Sequence, residues 1–338
     1  MTAQTPDLTI ALRSLAQALP DQSDIVKFGL TKYGKVELVA VPNTADDVDR
    51  IIAIREELIS ADGPIAVLSN RYSRNPNAPQ SALLERVIGS YAKELSKDIG
   101  DINFAVLFAR GTRLVSASRT AQHNIQTGEW PDFEPEEQEA LDSLIALHGP
   151  LMMATPVGRE LVAASDEFDD TPEKRKEEER LFQELAETVA DETEIFEAET
   201  VDAILDITTP VEFDLHPART RLLRILLTGS LLTSVVGASA WLASLGPSLA
   251  VIPAAAGGMF IWEVVKKTED FKSVTELLAK GYDGMPDQFA EQLKNLKRMS
   301  RLLTKRRAMF RKLADLRPEF GWAKRYIKPE ETVDDGEG

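Results

Sequence analysis

INFAVLFARGTRLVSAS, residues 102–118, decides the architecture. Its first half is a continuous apolar run that stops at Arg110-Gly111-Thr112, and LVSAS (Leu114–Ser118) follows. Short apolar runs joined across a glycine-centred turn read as strand, turn and strand. Two runs of the same kind precede it, VELVAV (Val36–Val41) and IAVLS (Ile65–Ser69). Between them lie helical patterns. Thr44 is placed to cap a helix reaching Ser60, with Val48, Ile51, Ile52 and Ile59 on one face. Ser81–Lys97 repeats the pattern through Leu84, Ile88, Tyr91 and Leu95. Leu8–Leu19 adds a helix in front, and Glu134–His148 adds one behind, ended by Gly149-Pro150. Alternating strands and helices predict an α/β N-terminal domain over residues 1–150. Its sheet is expected to be mostly parallel, with an antiparallel edge hairpin.

Open parallel sheets bind ligands beyond the carboxyl ends of their strands. That rule gathers Asn43, Asn70, Arg71, Arg74 and Arg110 into one candidate anion or nucleotide site, with the arginines supplying charge-assisted bonds.

The rest of the chain predicts an all-α region. Residues 151–218 form an acidic helical connector, with Thr171-Pro172 as a helix start. Its stripe of Leu181, Leu185, Val189 and Phe196 is narrow enough for one packing partner. Ile225–Trp262 then runs 38 residues without a charge, between Arg219, Arg221 and Arg224 on one side and Lys266 and Lys267 on the other. One helix of that length would be about 57 Å long, nearly twice the roughly 30 Å of a bilayer's hydrocarbon core. A hydrophobic helical hairpin over residues 219–267, folded at Gly246-Pro247, is the expectation. The flanking cations predict a cell-membrane location with both termini on the cytoplasmic side. The second arm is the weaker one, since Pro253, Gly257-Gly258 and Glu263 interrupt it. A hairpin inserted only on a signal, or buried for good in a helical core, fits the same residues.

Charge is distributed unevenly around this stretch. The chain carries a net −16, and Glu160–Asp214 alone holds twenty acidic residues against four basic ones. Glu291–Lys328 holds thirteen basic residues against three acidic. Within this basic helical region (residues 268–328), Lys297, Arg298, Arg301, Lys305, Arg306, Arg307, Arg311 and Lys312 are candidates for contact with anionic membrane lipid or with the acidic helix. Residues 329–338 read as a disordered acidic tail. The acidic balance argues against nucleic acid as a partner.

Chemistry is sparse. There is no cysteine and no phosphate-loop, dinucleotide, zinc-protease or nucleophile-elbow pattern. The three histidines, His123, His148 and His216, fall in different predicted elements. No cofactor is implied. These features together point to a membrane-anchored sensor, scaffold or effector facing the cytosol, oligomerising through its helices or with a protein partner and able to perturb the membrane. The alternative is a membrane-tethered enzyme acting on a nucleotide or phosphorylated small molecule through the Arg71/Arg74 loop.

Overall fold

The Asn103 side chain accepts a hydrogen bond from Val106 N at 3.2 Å, and Glu94 accepts the Asn103 N–H at 2.8 Å. This cap opens one unbroken helix, Phe104–Gln126, where strand, turn and strand were expected. The computed structural model describes residues 19–31, 33–42, 45–163, 171–244 and 287–327. All but the last residue of the helix expected at Leu8–Leu19, the Gly246-Pro247 fold, the second arm and the acidic tail lie outside them.

The expectation of an α/β domain with a parallel sheet is overturned. Among the described residues the only sheet is an antiparallel hairpin, β1 (Lys27–Leu30) with β2 (Val36–Val39), and the fold is otherwise mostly all-α. Gly34, at φ 79°, makes the turn between the strands. Gln22 bonds both backbone groups of Phe28 along one edge of the hairpin. At the other edge Val36 N donates to Ile195 O at 2.7 Å and Glu197 N donates to Val36 O at 2.9 Å.

The helices follow in order: α1 Ala45–Ile59, α2 Pro64–Arg74, α3 Pro79–Leu95, α4 Phe104–Gln126, α5 Pro135–Met153, α6 Pro156–Ala163, α7 Pro172–Asp191, α8 Ala198–Thr208, α9 Pro217–Ser244, α10 Asp287–Lys305 and α11 Arg307–Leu316. Short 3-10 turns cover Ile99–Asp101 and Pro318–Arg325. IAVLS belongs to α2, where Pro64 takes the first helical position and Ile65, Leu68 and Tyr72 are buried at helical spacing. In α4 every residue from Phe104 to Gly111 is buried. A helix enclosed on all sides shows no polar face, so its sequence resembles that of a buried strand. Gly111 is not a turn residue. A Cβ there would come within 2.1 Å of the His148 ring, so the glycine is what lets α4 and α5 approach. Helix α5 also runs on past Gly149-Pro150 to Met153. Thr171 caps α7 by accepting from Lys174 N, as its spacing predicts.

One cluster of buried side chains extends from Ile25 to Ile327. Helix α4 lies inside it, between α3, α5, α6 and α8. Helix α9 is its second axis, in contact with β1, α6, α8, α10 and the 3-10 turn at Pro318–Arg325.

Candidate functional site

Helix α9 carries the first apolar arm. Among the described residues it is the one helix long and apolar enough to cross a membrane. The qualifying stretch, Pro217–Ala240, has 24 residues, about 36 Å of helix. A single crossing would put its two ends on opposite sides, so it gives no support to both termini being cytoplasmic. In this conformation the helix faces protein. Its most apolar window is 78% buried, with Leu223, Leu227, Leu231, Leu232, Val235 and Val236 shielded almost completely.

Four hydroxyls of α9 are satisfied within the helix, while the buried Thr220 hydroxyl has no hydrogen-bond partner among the described residues. Thr228, Thr233, Ser234 and Ser239 each donate to the carbonyl four residues earlier. Helices in lipid need the same self-sufficiency. Ser230 is different, because it ties α9 to the rest of the fold. Its Oγ donates to Val26 O at 2.6 Å and accepts from Ser23 N at 3.1 Å. Gly229 leaves room for Phe320, whose ring would stand 2.9 Å from a Cβ there.

Three arginines fasten the start of this helix and the end of α8. Arg224, 7% exposed, donates to Ile207 O at 3.0 Å and Thr209 O at 3.3 Å. Arg113, on α4, covers Asp206 O, Leu205 O and Thr209 O. Both satisfy carbonyls that the end of α8 leaves open. Burial lowers the pKa of the Arg113 guanidinium, against the nearby Asp206 carboxylate. Arg221 pairs with Glu178 at 2.5 Å, and Glu178 also meets Arg317 at 3.1 Å. That triad joins α9, α7 and the C-terminal turn. Beside it opens a cleft of about 400 Å³, bordered by Pro217, Arg221, Glu178 and Phe182.

Helix α10 lies against α9 through Leu296, Met299, Leu302 and Leu303. Its basic face is partly spoken for. Arg298 pairs with Glu194 at 2.8 Å, Lys305 with Glu192 at 3.5 Å and Arg306 with Asp191 at 3.8 Å. Arg311 donates to Ile327 O at 2.8 Å. Arg307 lies half-buried in the first turn of α11, and Lys312 stands exposed near Glu177. Lys297 and Arg301 are exposed on one face of α10. The acidic and basic blocks therefore meet within the chain, and part of the basic face remains open to solvent.

The residues grouped as an anion site are spread over different contacts. Asn43 lies outside the described residues. Asn70 and Arg74 are exposed on α2, not on a loop. Arg71 bridges α2 to the start of α5, bonding Glu134 at 2.7 Å and Glu137 at 2.8 Å. Its hydrogen bond, and then its charge, hold the Glu134 carboxyl below the usual range. Arg110 is buried in α4, bonded to Asp206 at 2.9 Å, Ser90 O at 2.9 Å and Glu94 at 3.2 Å. With no parallel sheet among the described residues, there is no crevice at strand ends to gather them. Arg71→Ala should cost about 1–3 kcal/mol, because it strands the buried Glu137 carboxylate. Arg74→Ala should stay within about 0.5 kcal/mol. Urea unfolding of the two variants checks this.

Sequence reasoning missed a second cavity, at the foot of α9. It measures about 230 Å³ and lies between α4, α5, α6 and the segment Asp214–Arg219. His148 lines it, and its Nδ1 shares a hydrogen bond of 3.0 Å with the Tyr91 hydroxyl. Burial pushes the Tyr91 hydroxyl pKa up, so it keeps its proton. The same burial, with the charge of His216 added, lowers the His148 imidazole to about 4. His216 is lowered by burial and then by Arg219, against Asp214. Their sequence separation hid this grouping, since His148 and His216 lie in different elements. Among the described residues no group of three or more histidine or acidic side chains could hold a metal ion.

Comparison with protein-family models, with curated proteins and with solved structures finds no match for this chain.

Proposed function

We propose that the protein is a membrane effector that stores its membrane-crossing helix inside its own fold and releases it at a lipid surface. The observation that carries this reading is the state of α9: long enough to cross a bilayer, yet enclosed by amphipathic helices. That length matches the thickness of a bilayer's hydrocarbon core, and the sequence stays uncharged as far as Trp262. The exposed cations Lys297, Arg301 and Lys312 suit an approach to anionic lipid. Once released, the small residues Ser230, Ser234 and Ala238 would present a face for close helix contact, which makes an oligomer the expected inserted form.

The chain has no cysteine, so an engineered pair is unambiguous. Ser23 N and Ser230 Oγ are 3.1 Å apart, which brings the two positions within disulfide reach. The full chain bearing Ser23→Cys and Ser230→Cys is mixed with vesicles of phosphatidylcholine and phosphatidylglycerol, oxidised or reduced. Reduced protein should float with the vesicles, resist carbonate extraction and release trapped dye. Oxidised protein should do so at least tenfold less. Equal insertion in both states, or none by the wild type at any pH from 7 to 4, overturns the proposal and leaves α9 as a permanent core helix.

A further inference from the structure

The cavity at the foot of α9 stands apart from the contacts that hold this helix in place. Its wall is apolar, built from Phe108, Val115, Ile145 and Met152. Its mouth is apolar too. Among the described residues four large hydrophobic side chains are conspicuously exposed, and two of them, Met153 at 43% and Leu215 at 42%, border this one cavity. Exposed apolar surface around a concave site marks a place where something binds.

The polar groups at the rim give the chemistry of the occupant. Asp214 accepts the backbone N–H of His216 through Oδ1 at 2.8 Å. His148 is engaged at Nδ1 by Tyr91. It is also neutral near pH 7, because burial disfavours its charged form. Arg219 is half-buried in the cavity lining and, among the described residues, has no carboxylate within ion-pairing distance. Its neighbours along α9 are treated differently, since Arg221 is ion-paired and Arg224 bonds backbone carbonyls. A guanidinium held against an apolar wall, with no counter-ion among the described residues, is a binding element for an anion with an apolar body.

From this we infer that the cavity is a binding site for a single-chain amphiphilic carboxylate. The carboxylate would pair with Arg219, and the tail would lie along Val115, Ile145 and Met152. The volume, about 230 Å³, is below the roughly 300–1,000 Å³ of sites for drug-sized ligands. A short or medium chain therefore fits, and a long one would have to protrude past Met153 and Leu215. An anionic phospholipid also joins an anion, its phosphodiester, to apolar chains, but a volume of about 230 Å³ favours the free acid. The inference does not depend on membrane insertion.

Titration calorimetry on the full chain tests it, with octanoate as the probe at pH 7.4. Octanoate should bind saturably, one per chain. Octan-1-ol should bind at least tenfold more weakly, and octylammonium should not bind. Arg219→Ala should weaken octanoate at least tenfold with little effect on octan-1-ol. Val115→Phe fills the wall and should weaken octanoate and octan-1-ol together, and Ile145→Phe serves the same purpose if the first variant does not fold. Dodecanoate binding no tighter than octanoate supports the size of the cavity, and phosphatidylglycerol vesicles competing for the site would make the lipid chain the source. No saturable octanoate binding overturns the inference. So does octylammonium binding as tightly, which would make Asp214 the head-group ligand, or an unchanged affinity in Arg219→Ala.

Discussion

Glu178→Ala should cost about 3–5 kcal/mol in urea unfolding, because it removes one partner from a buried ionic cluster. The Glu178 side chain is 1% exposed and lies between Arg221, 12% exposed, and Arg317, 10% exposed. The truncation takes away the carboxylate that two guanidiniums share in a poorly solvated place. The loss is mostly the penalty on those two charges, and only in small part the value of the original contacts. Replacing the whole cluster tests that distinction. Glu178→Leu combined with Arg221→Met and Arg317→Met should be less damaging than Glu178→Ala alone, since it removes the charges together. A loss under 1 kcal/mol in the single variant, or a triple variant worse than the single one, would defeat this account. The cluster also anchors the first turns of α9 to α7 and to the C-terminal turn. Glu178→Ala should therefore insert into anionic vesicles at pH 7 more readily than wild type.

The sequence exposes those parts of the fold whose signals are local. The start of α7 follows from Thr171-Pro172, and α1 and α3 follow from their one-sided stripes. The apolar α9 is visible as composition alone. The errors have related causes. Ile65–Ser69 is too short a run to show the one-sided burial of α2, and Ile102–Ala109 shows no periodicity because its helix lies in the interior. Composition cannot separate a strand buried on two faces from a helix buried on all sides. For Ile102–Ser118 two residues could have decided it. Asn103 precedes the run as a helix cap, and Gly111 makes equal sense as a turn residue or as a seat for a neighbouring ring. Only the position of His148, 37 residues further on, settles which.

The candidate site was legible in part for related reasons. The opposed charge blocks around the apolar stretch predict that acidic and basic helices could meet, and Arg298–Glu194, Lys305–Glu192 and Arg317–Glu178 are such meetings. Which cations would stay exposed could not be read, because it depends on how α10 turns its Leu296 and Met299 face against α9. The grouping of arginines near an anion pocket failed at its premise. It needed strands to aim Arg71 and Arg110 at one crevice, and these residues instead hold separate helix contacts together. The cavity beside Arg219 left no sequence signal at all, since its wall comes from α4, α5 and α6.

His148→Gln should flatten the pH dependence of stability between pH 7 and pH 4. In the native state burial, aided by His216, lowers the His148 imidazole from its ordinary 6.5 to about 4. The unfolded chain takes up this proton near pH 6.5, and the folded chain only near 4. The contribution is thus complete above pH 6.5, drains away as the pH falls toward 4, and is gone below that. Each pKa unit is worth about 1.4 kcal/mol, so wild type should lose about 3 kcal/mol across the window through this group. Other groups titrate in the same range. Glu37 and Glu160 are raised by burial and work in the opposite direction, while Glu134, Glu177 and Glu199 are lowered by their cationic partners and work in the same direction. His216, lowered by burial, works in the same direction and acts on His148 by its charge, so the difference between the two curves reports His148 together with its coupling to His216. Urea unfolding at half-unit pH steps measures it, and parallel curves would refute the assignment. The consequence for the proposed effector is directional. The groups facing the imidazole are Tyr91 on α3, Asp214 and His216 in the segment before α9, and Arg219 on α9 itself. A proton on His148 thus adds positive charge near Arg219 and His216, and leaves both ring nitrogens as donors beside the Tyr91 hydroxyl. Acid should loosen the foot of the apolar helix first, and vesicle insertion by wild type should rise as the pH falls while His148→Gln lags behind it.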